Sequence, residues 1–143
     1  MPVLQFHLVE GHYSDEQHER LLVAASQLFA DVLGAPVDRV RVFIHLYKPG
    51  LAAIGGVPAS REALRAPYFE FVVLEGRPLE HRQRLLAGFT DLCVDILGAP
   101  RELVRGSTST VHPEDWAIGG TPASVLRAAE IEARARAAAA GSA

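Results

Sequence analysis

Apolar and polar positions along this chain follow two kinds of period, and the sequence of periods occurs twice. The stretch VLQFHLVE places apolar and aromatic residues at strand density, and Glu10-Gly11 ends it. In the next stretch, DEQHERLLVAASQLFADVLG, residues Leu21, Leu22, Ala25, Leu28, Phe29 and Val32 recur at the spacing of one helical face. Ser14, with Gln17 three residues on, forms a capping-box signature at its start. Gly34 and then Pro36 mark its stop. VRVFIHLY reads as a second strand. The same order returns as PYFEFVVLEGR, EHRQRLLAGFTDLCVDILG and LVRGSTSTV, the last more polar than its counterpart, so that one face is suited to a partner or a cavity.

The two halves match block by block, and such a repeat decides the architecture. Pro2 pairs with Pro67 and Gly11 with Gly76 at an offset of 65 residues, Arg41 with Arg105 and Gly55 with Gly119 at an offset of 64. The division is a first unit over 2–60, a short linker over 61–66, a second unit over 67–124 and a C-terminal tail over 125–143. A strand-helix-strand unit makes a parallel strand pair through a right-handed crossover. The predicted fold class is therefore α/β: two tandem β-α-β units forming one four-stranded sheet with two helices on one face. The other face is expected to be bare and to carry Phe6, Leu8, Phe69 and Phe71 or their neighbours, which predicts self-association. The Ala-rich tail is expected to form a short helix and to fray over Gly141, Ser142 and Ala143.

Composition narrows the function. A chain of 143 residues, 49% hydrophobic and 22% charged, suits one globular domain. A formal net charge of -3 gives no sign of a nucleic-acid surface, and no apolar run is long enough for a membrane helix. The expectation is a cytoplasmic protein without cofactor. Cys93, the only cysteine, lies in an apolar run and reads as a buried packing residue. His7, His12, His18, His45, His81 and His112 invite a metal reading, but no acidic or cysteine cluster accompanies them, so no metal site is predicted.

The blocks PVLQFHLVEG, SDEQ, LGAP, VRV and IGG, in this order, resemble the 4-oxalocrotonate tautomerase pattern. Two such units in one chain resemble the fused members of the tautomerase superfamily, over roughly residues 2–124. That superfamily also holds cis-3-chloroacrylic acid dehalogenases, malonate semialdehyde decarboxylases and macrophage migration inhibitory factor. The resemblance implies trimeric assembly, a small carboxylate substrate and an amino-terminal proline that does the chemistry. Proline's nitrogen is a secondary amine only at the chain start, so Met1 must be removed for Pro2 to act. An apolar pocket and nearby cations bring an amine toward neutrality, where it can take a proton and return it elsewhere.

The halves differ in what they keep. The family's first arginine, after Glu-Gly, is Arg77 in the second unit but His12 in the first. The second arginine is present in both, as Arg41 and Arg105. The aromatic residue before Ile-Gly-Gly is Trp116 in the second unit and Ala52 in the first. Pro67 is internal and its nitrogen is always an amide. The resemblance therefore implies a site of Pro2, Arg77 and Trp116 from one chain with Arg105 from the next. Plainer readings stand beside these: Arg77 as a solvated helix-start residue, Arg105 as an interface ion-pair partner, Trp116 as packing. His7 is expected near Pro2 without an assigned role. The implied function is a cofactor-independent tautomerase acting on a 2-oxo or 2-hydroxydienoate acid. The alternatives are a dehalogenase-like hydratase, a decarboxylase-like lyase, or a non-enzymatic trimeric binding module. Asp38 matches the aspartate of the decarboxylases, whereas Glu75 and Leu74 stand where the lyase and hydratase relatives carry a further arginine. Ser107 replaces the dehalogenases' tyrosine.

Overall fold

The computed structural model describes residues 2–141. The removal of Met1 and the fraying of Ser142 and Ala143 lie outside the described residues. The first unit holds β1 (Val3–Val9), α1 (Asp15–Leu33), β2 (Arg41–Tyr47) and a hairpin of two short strands, β3 (Ala53–Ile54) and β4 (Val57–Pro58). The second holds β5 (Tyr68–Leu74), α2 (Leu79–Asp95), β6 (Arg105–Val111) and the matching hairpin, β7 (Ala117–Ile118) and β8 (Thr121–Pro122). Two helices follow, α3 (Ala123–Leu126) and α4 (Ala128–Gly141).

The main sheet runs β2-β1-β5-β6. Within each unit the strands are parallel, and the units join antiparallel through β1 and β5, with Val3 opposite Val72 and His7 opposite Tyr68. The predicted capping box is present: the Ser14 hydroxyl accepts from the Gln17 N–H, and the Gln17 side chain accepts from the Ser14 N–H. Gly34 closes α1 in the left-handed conformation at φ 62°. The hairpins built on each IGG motif turn on its paired glycines, which have positive φ, an arrangement too short for periodicity to reveal.

Both long helices cover one sheet face. Between them and the sheet, Phe6, Phe29, Phe69, Phe71 and Phe89 are sealed from solvent. Phe89 of α2 meets all four others edge-on, at centroid distances of 5.3–6.4 Å and interplanar angles of 74–82°. The repeat explains how the core is filled without symmetry. At the 64-residue offset, Ala25 corresponds to Phe89 and Phe29 to Cys93, so each helix supplies one large and one small residue, exchanged in position. Cys93 is buried, as expected, and burial pushes its thiol up to about 12.

The bare face differs from expectation. Phe6, Leu8, Phe69 and Phe71 point into the core, because strand alternation puts them on the helix-covered side. The open face is polar and aromatic instead. His7 stacks against His45, Tyr47 and Tyr68 at 4.9–5.7 Å. Its Nδ1 lies 2.6 Å from the Tyr47 hydroxyl and its Nε2 lies 3.2 Å from Glu70. The tail also differs: α4 spans 14 residues and includes Gly141. Its alanines favour helix, and an ion pair from Glu130 to Arg39 ties it to the body. No helix among the described residues is long and apolar enough to cross a membrane.

The core yields two expectations. The Phe69 ring lies over Gly106, its cross-strand partner, and a Cβ built on Gly106 would come within 2.1 Å of that ring. Because Phe69 is fully buried, Gly106→Ala should cost about 1–3 kcal/mol, read as a lower denaturant midpoint. An unchanged midpoint would show that the ring has room to move. Cys93 should stay inert to Ellman's reagent at pH 8 in the native protein and react on unfolding.

Candidate active site

Antiparallel joining sends the beginning of β1 and the end of β5 to the same edge of the molecule. There Pro2 is buried, and its carbonyl accepts from the Arg41 N–H at 3.0 Å. Around it lie Leu33 and Ala35 from the end of α1, and Val73 and Leu74 from the end of β5. Arg77 enters from the turn after β5. It is half-buried, and its Nη1 donates to the Leu33 carbonyl at 2.7 Å, one of the carbonyls left open at a helix end. Burial first, and then the charges of Arg134 and Arg39, pull its guanidinium down to about 10, with Glu130 opposing. At neutral pH it remains a cation.

Four arginines reach this hollow: Arg39, Arg77, Arg127 and Arg134. One carboxylate, Glu130, stands among them. Trp116 lies next door, in a groove shared with Asp38, Arg41 and Ile118, and Arg39 and Arg127 line both spaces. Pro2, Arg77 and Trp116 thus gather at one end of the sheet, although they come from different units.

The chain's own Arg105 is elsewhere. It starts β6 at the opposite end of the sheet, roughly 20 Å away by the length of a seven-residue strand. There it lines a hollow with Pro67, Ala53 and Gly55. Its side chain donates to the Glu102 and Val104 carbonyls, as Arg41 does to those of Asp38 and Val40. His12 belongs to this far end as well. Burial and then the charge of Arg65 lower its pKa. His7 does not line the Pro2 hollow; it sits on the open sheet face. Leu74 is a wall of the hollow, but Glu75 turns outward to His112 at 2.5 Å. Ser107 bonds Tyr68 on the open face. No group of three or more His, Cys, Asp or Glu among the described residues is arranged to hold a metal.

Sequence reasoning missed Arg39, Arg127, Glu130 and Arg134. A signal was available for three of them: Arg127, Glu130 and Arg134 stand at i, i+3 and i+7, which is one helical face.

The family model described as "Tautomerase enzyme" matches twice, over residues 2–61 and 67–125. A 2-hydroxymuconate tautomerase of Pseudomonas sp. (strain CF600) is 43% identical over 61 residues, 43% of this chain and 95% of that protein. The crystal structure of a native fused 4-OT superposes with a TM-score of 0.81 at 25% identity, covering 87% of this chain and 98% of that one. A protein named Pt0534, solved after inactivation by 2-oxo-3-pentynoate, gives a TM-score of 0.75 at 27% identity over the same shares.

Proposed function

The chain belongs to the tautomerase family, and we propose that it is an isomerase whose base is the amine of Pro2, freed by removal of Met1. The carrying observation is the meeting of Pro2 with Arg77 in one buried hollow at a shared end of the sheet. A 2-oxo or 2-hydroxydienoate acid is the substrate class. The uncharged amine takes the proton of the dienol oxygen and returns it to a carbon of the conjugated chain, leaving a 2-oxo acid. Apolar walls and surrounding guanidinium groups both disfavour the charged amine, which keeps the base form available. Arg77 and Arg105 of the partner subunit hold the carboxylate and stabilise the developing enolate oxygen. Trp116 walls the substrate's path. No metal or cofactor is required by this chemistry. The outward turn of Glu75 favours isomerisation over the hydratase and lyase readings, which call for a further cation beside Pro2.

Because the chain's own Arg105 is out of reach, this reading requires assembly. The stacked face around His7, with Phe43 and Tyr47 exposed beside it, is the surface on which three copies would close. Sedimentation equilibrium should give three times the chain mass. A monomer at micromolar concentration that still turns substrate over would exclude Arg105 from the site.

On processed protein, verified by mass spectrometry, Pro2→Ala and Arg77→Ala should each reduce kcat/KM for 2-hydroxymuconate by about a hundredfold or more. His12→Ala should leave it within about twofold, since His12 lies at the opposite end of the sheet. A large loss at His12 with little at Arg77 would reverse the assignment of the two ends. The inactivator seen with Pt0534 offers an independent readout: 2-oxo-3-pentynoate should add its mass to the peptide beginning at Pro2 and to no other.

A further inference from the structure

The C-terminal helix carries charges for which the proton-transfer reading has no task. Glu130 and Arg134 of that helix, with Arg127 just before it, line the mouth of the Pro2 hollow. Arg39, in the turn between α1 and β2, makes a two-point contact to Glu130: Nη1 to Oε2 at 3.0 Å and Nη2 to Oε1 at 3.1 Å. This is the fork geometry by which a guanidinium takes any free carboxylate. The pair holds the Glu130 carboxyl below its usual range and raises Arg39 above its own. Both side chains are partly open to water, at 25% and 45% exposure, so the pair can exchange partners.

Space points the same way. The hollow encloses about 20 Å³, room for about one water molecule and no organic acid. One wall must therefore move to admit substrate. The ends of α1 and β5 are anchored by buried Leu33, Val73 and Leu74, whereas α4 has no buried residue. The tail helix is the wall held least firmly, and the contact between Glu130 and Arg39 is its clasp.

We propose that Arg39 is a substrate-binding residue for a second carboxylate, and that Glu130 occupies it as an internal surrogate while the site is empty. The diacid 2-hydroxymuconate, which gives the relatives above their name, offers such a second carboxylate. One carboxylate lies at the reacting end with Arg77; the other displaces Glu130 and takes its place on Arg39, with Arg127 and Arg134 beside it. The exchange leaves Arg39 paired throughout and releases Glu130 to water. Its assignment of the reacting end rests on the tautomerase reading above.

The test compares wild type, Glu130→Ala and Arg39→Ala on a diacid, 2-hydroxymuconate, and a monoacid, phenylenolpyruvate. Glu130→Ala should lower KM for the diacid by about two- to fivefold, the scale of a partly exposed ion pair. Arg39→Ala should raise that KM by about tenfold or more, with kcat little changed and phenylenolpyruvate scarcely affected. An unchanged or higher diacid KM in Glu130→Ala, or an equal effect of Arg39→Ala on both substrates, overturns the proposal. If wild type turns over neither acid, the tautomerase reading fails and the subsite is judged by calorimetry with unreactive cis,cis-muconate. Tighter binding to Glu130→Ala and weaker binding to Arg39→Ala would then sustain it, and equal binding to all three would overturn it.

Discussion

The antiparallel pairing of β1 with β5 is the constraint on which the molecule depends. Parallel joining of two β-α-β units would place both strand starts at one end of the sheet. Antiparallel joining places the start of one unit's first strand beside the end of the other's. Pro2 therefore faces the turn that follows β5, and Pro67 faces the turn that follows β1. The pairing is held by what lies beneath it. Leu4 and Phe6 oppose Phe71 and Phe69, and all four point at the helices. A one-residue slip of β1 would turn Leu4 and Phe6 toward water and bring His7 into the apolar layer, and a slip of β5 would do the same with Phe69, Phe71 and Glu70, so the register is firmly set.

Given that join, the repeat was free to diverge in complementary pairs. In the core, Phe89 and Cys93 on one helix answer Ala25 and Phe29 on the other, which keeps the volume of the layer while ending its symmetry. Gly106 stands where the first unit has Val42, and the Phe69 ring fills the space a side chain would take. At the sheet ends the same logic applies to chemistry. In the proposed reaction, only a proline that can become the first residue has a use for a neighbouring arginine. Arginine persists after β5, beside Pro2, and histidine replaces it after β1, at the Pro67 end.

Much of this was legible in the sequence because two copies of each block were available for comparison. The strands and both long helices follow from aligning the halves, and the gathering of Pro2, Arg77 and Trp116 at one end is what the family resemblance implied. The orientation of the central strands did not follow. In VLQFHLV both alternating sets contain residues able to be buried, and only the docked helices choose between Phe6 and His7. The hairpins at Gly55-Gly56 and Gly119-Gly120 have two-residue strands, too short to show a period. The tail has no counterpart in the first unit, so comparison of the halves was silent there. Its alanine content pointed to helix, but only the charges of Arg127, Glu130 and Arg134 show which face docks.

Those charges also follow from electrostatics once the site is assembled. Three guanidinium groups around Arg77 in a small, half-dry space repel one another, and the cost grows as water is excluded. Such a cluster of cations is eased by an anion placed among them. Solvent chloride would serve weakly; a carboxylate tethered to the same chain is present at high effective concentration. Glu130 supplies that anion at the rim, where its release costs little. In the proposed reaction, a carboxylate buried beside Pro2 would instead stabilise the protonated amine. The position of Glu130, on Arg39 and at the mouth, thus reconciles a strongly cationic hollow with the uncharged Pro2 amine that the proposed reaction calls for.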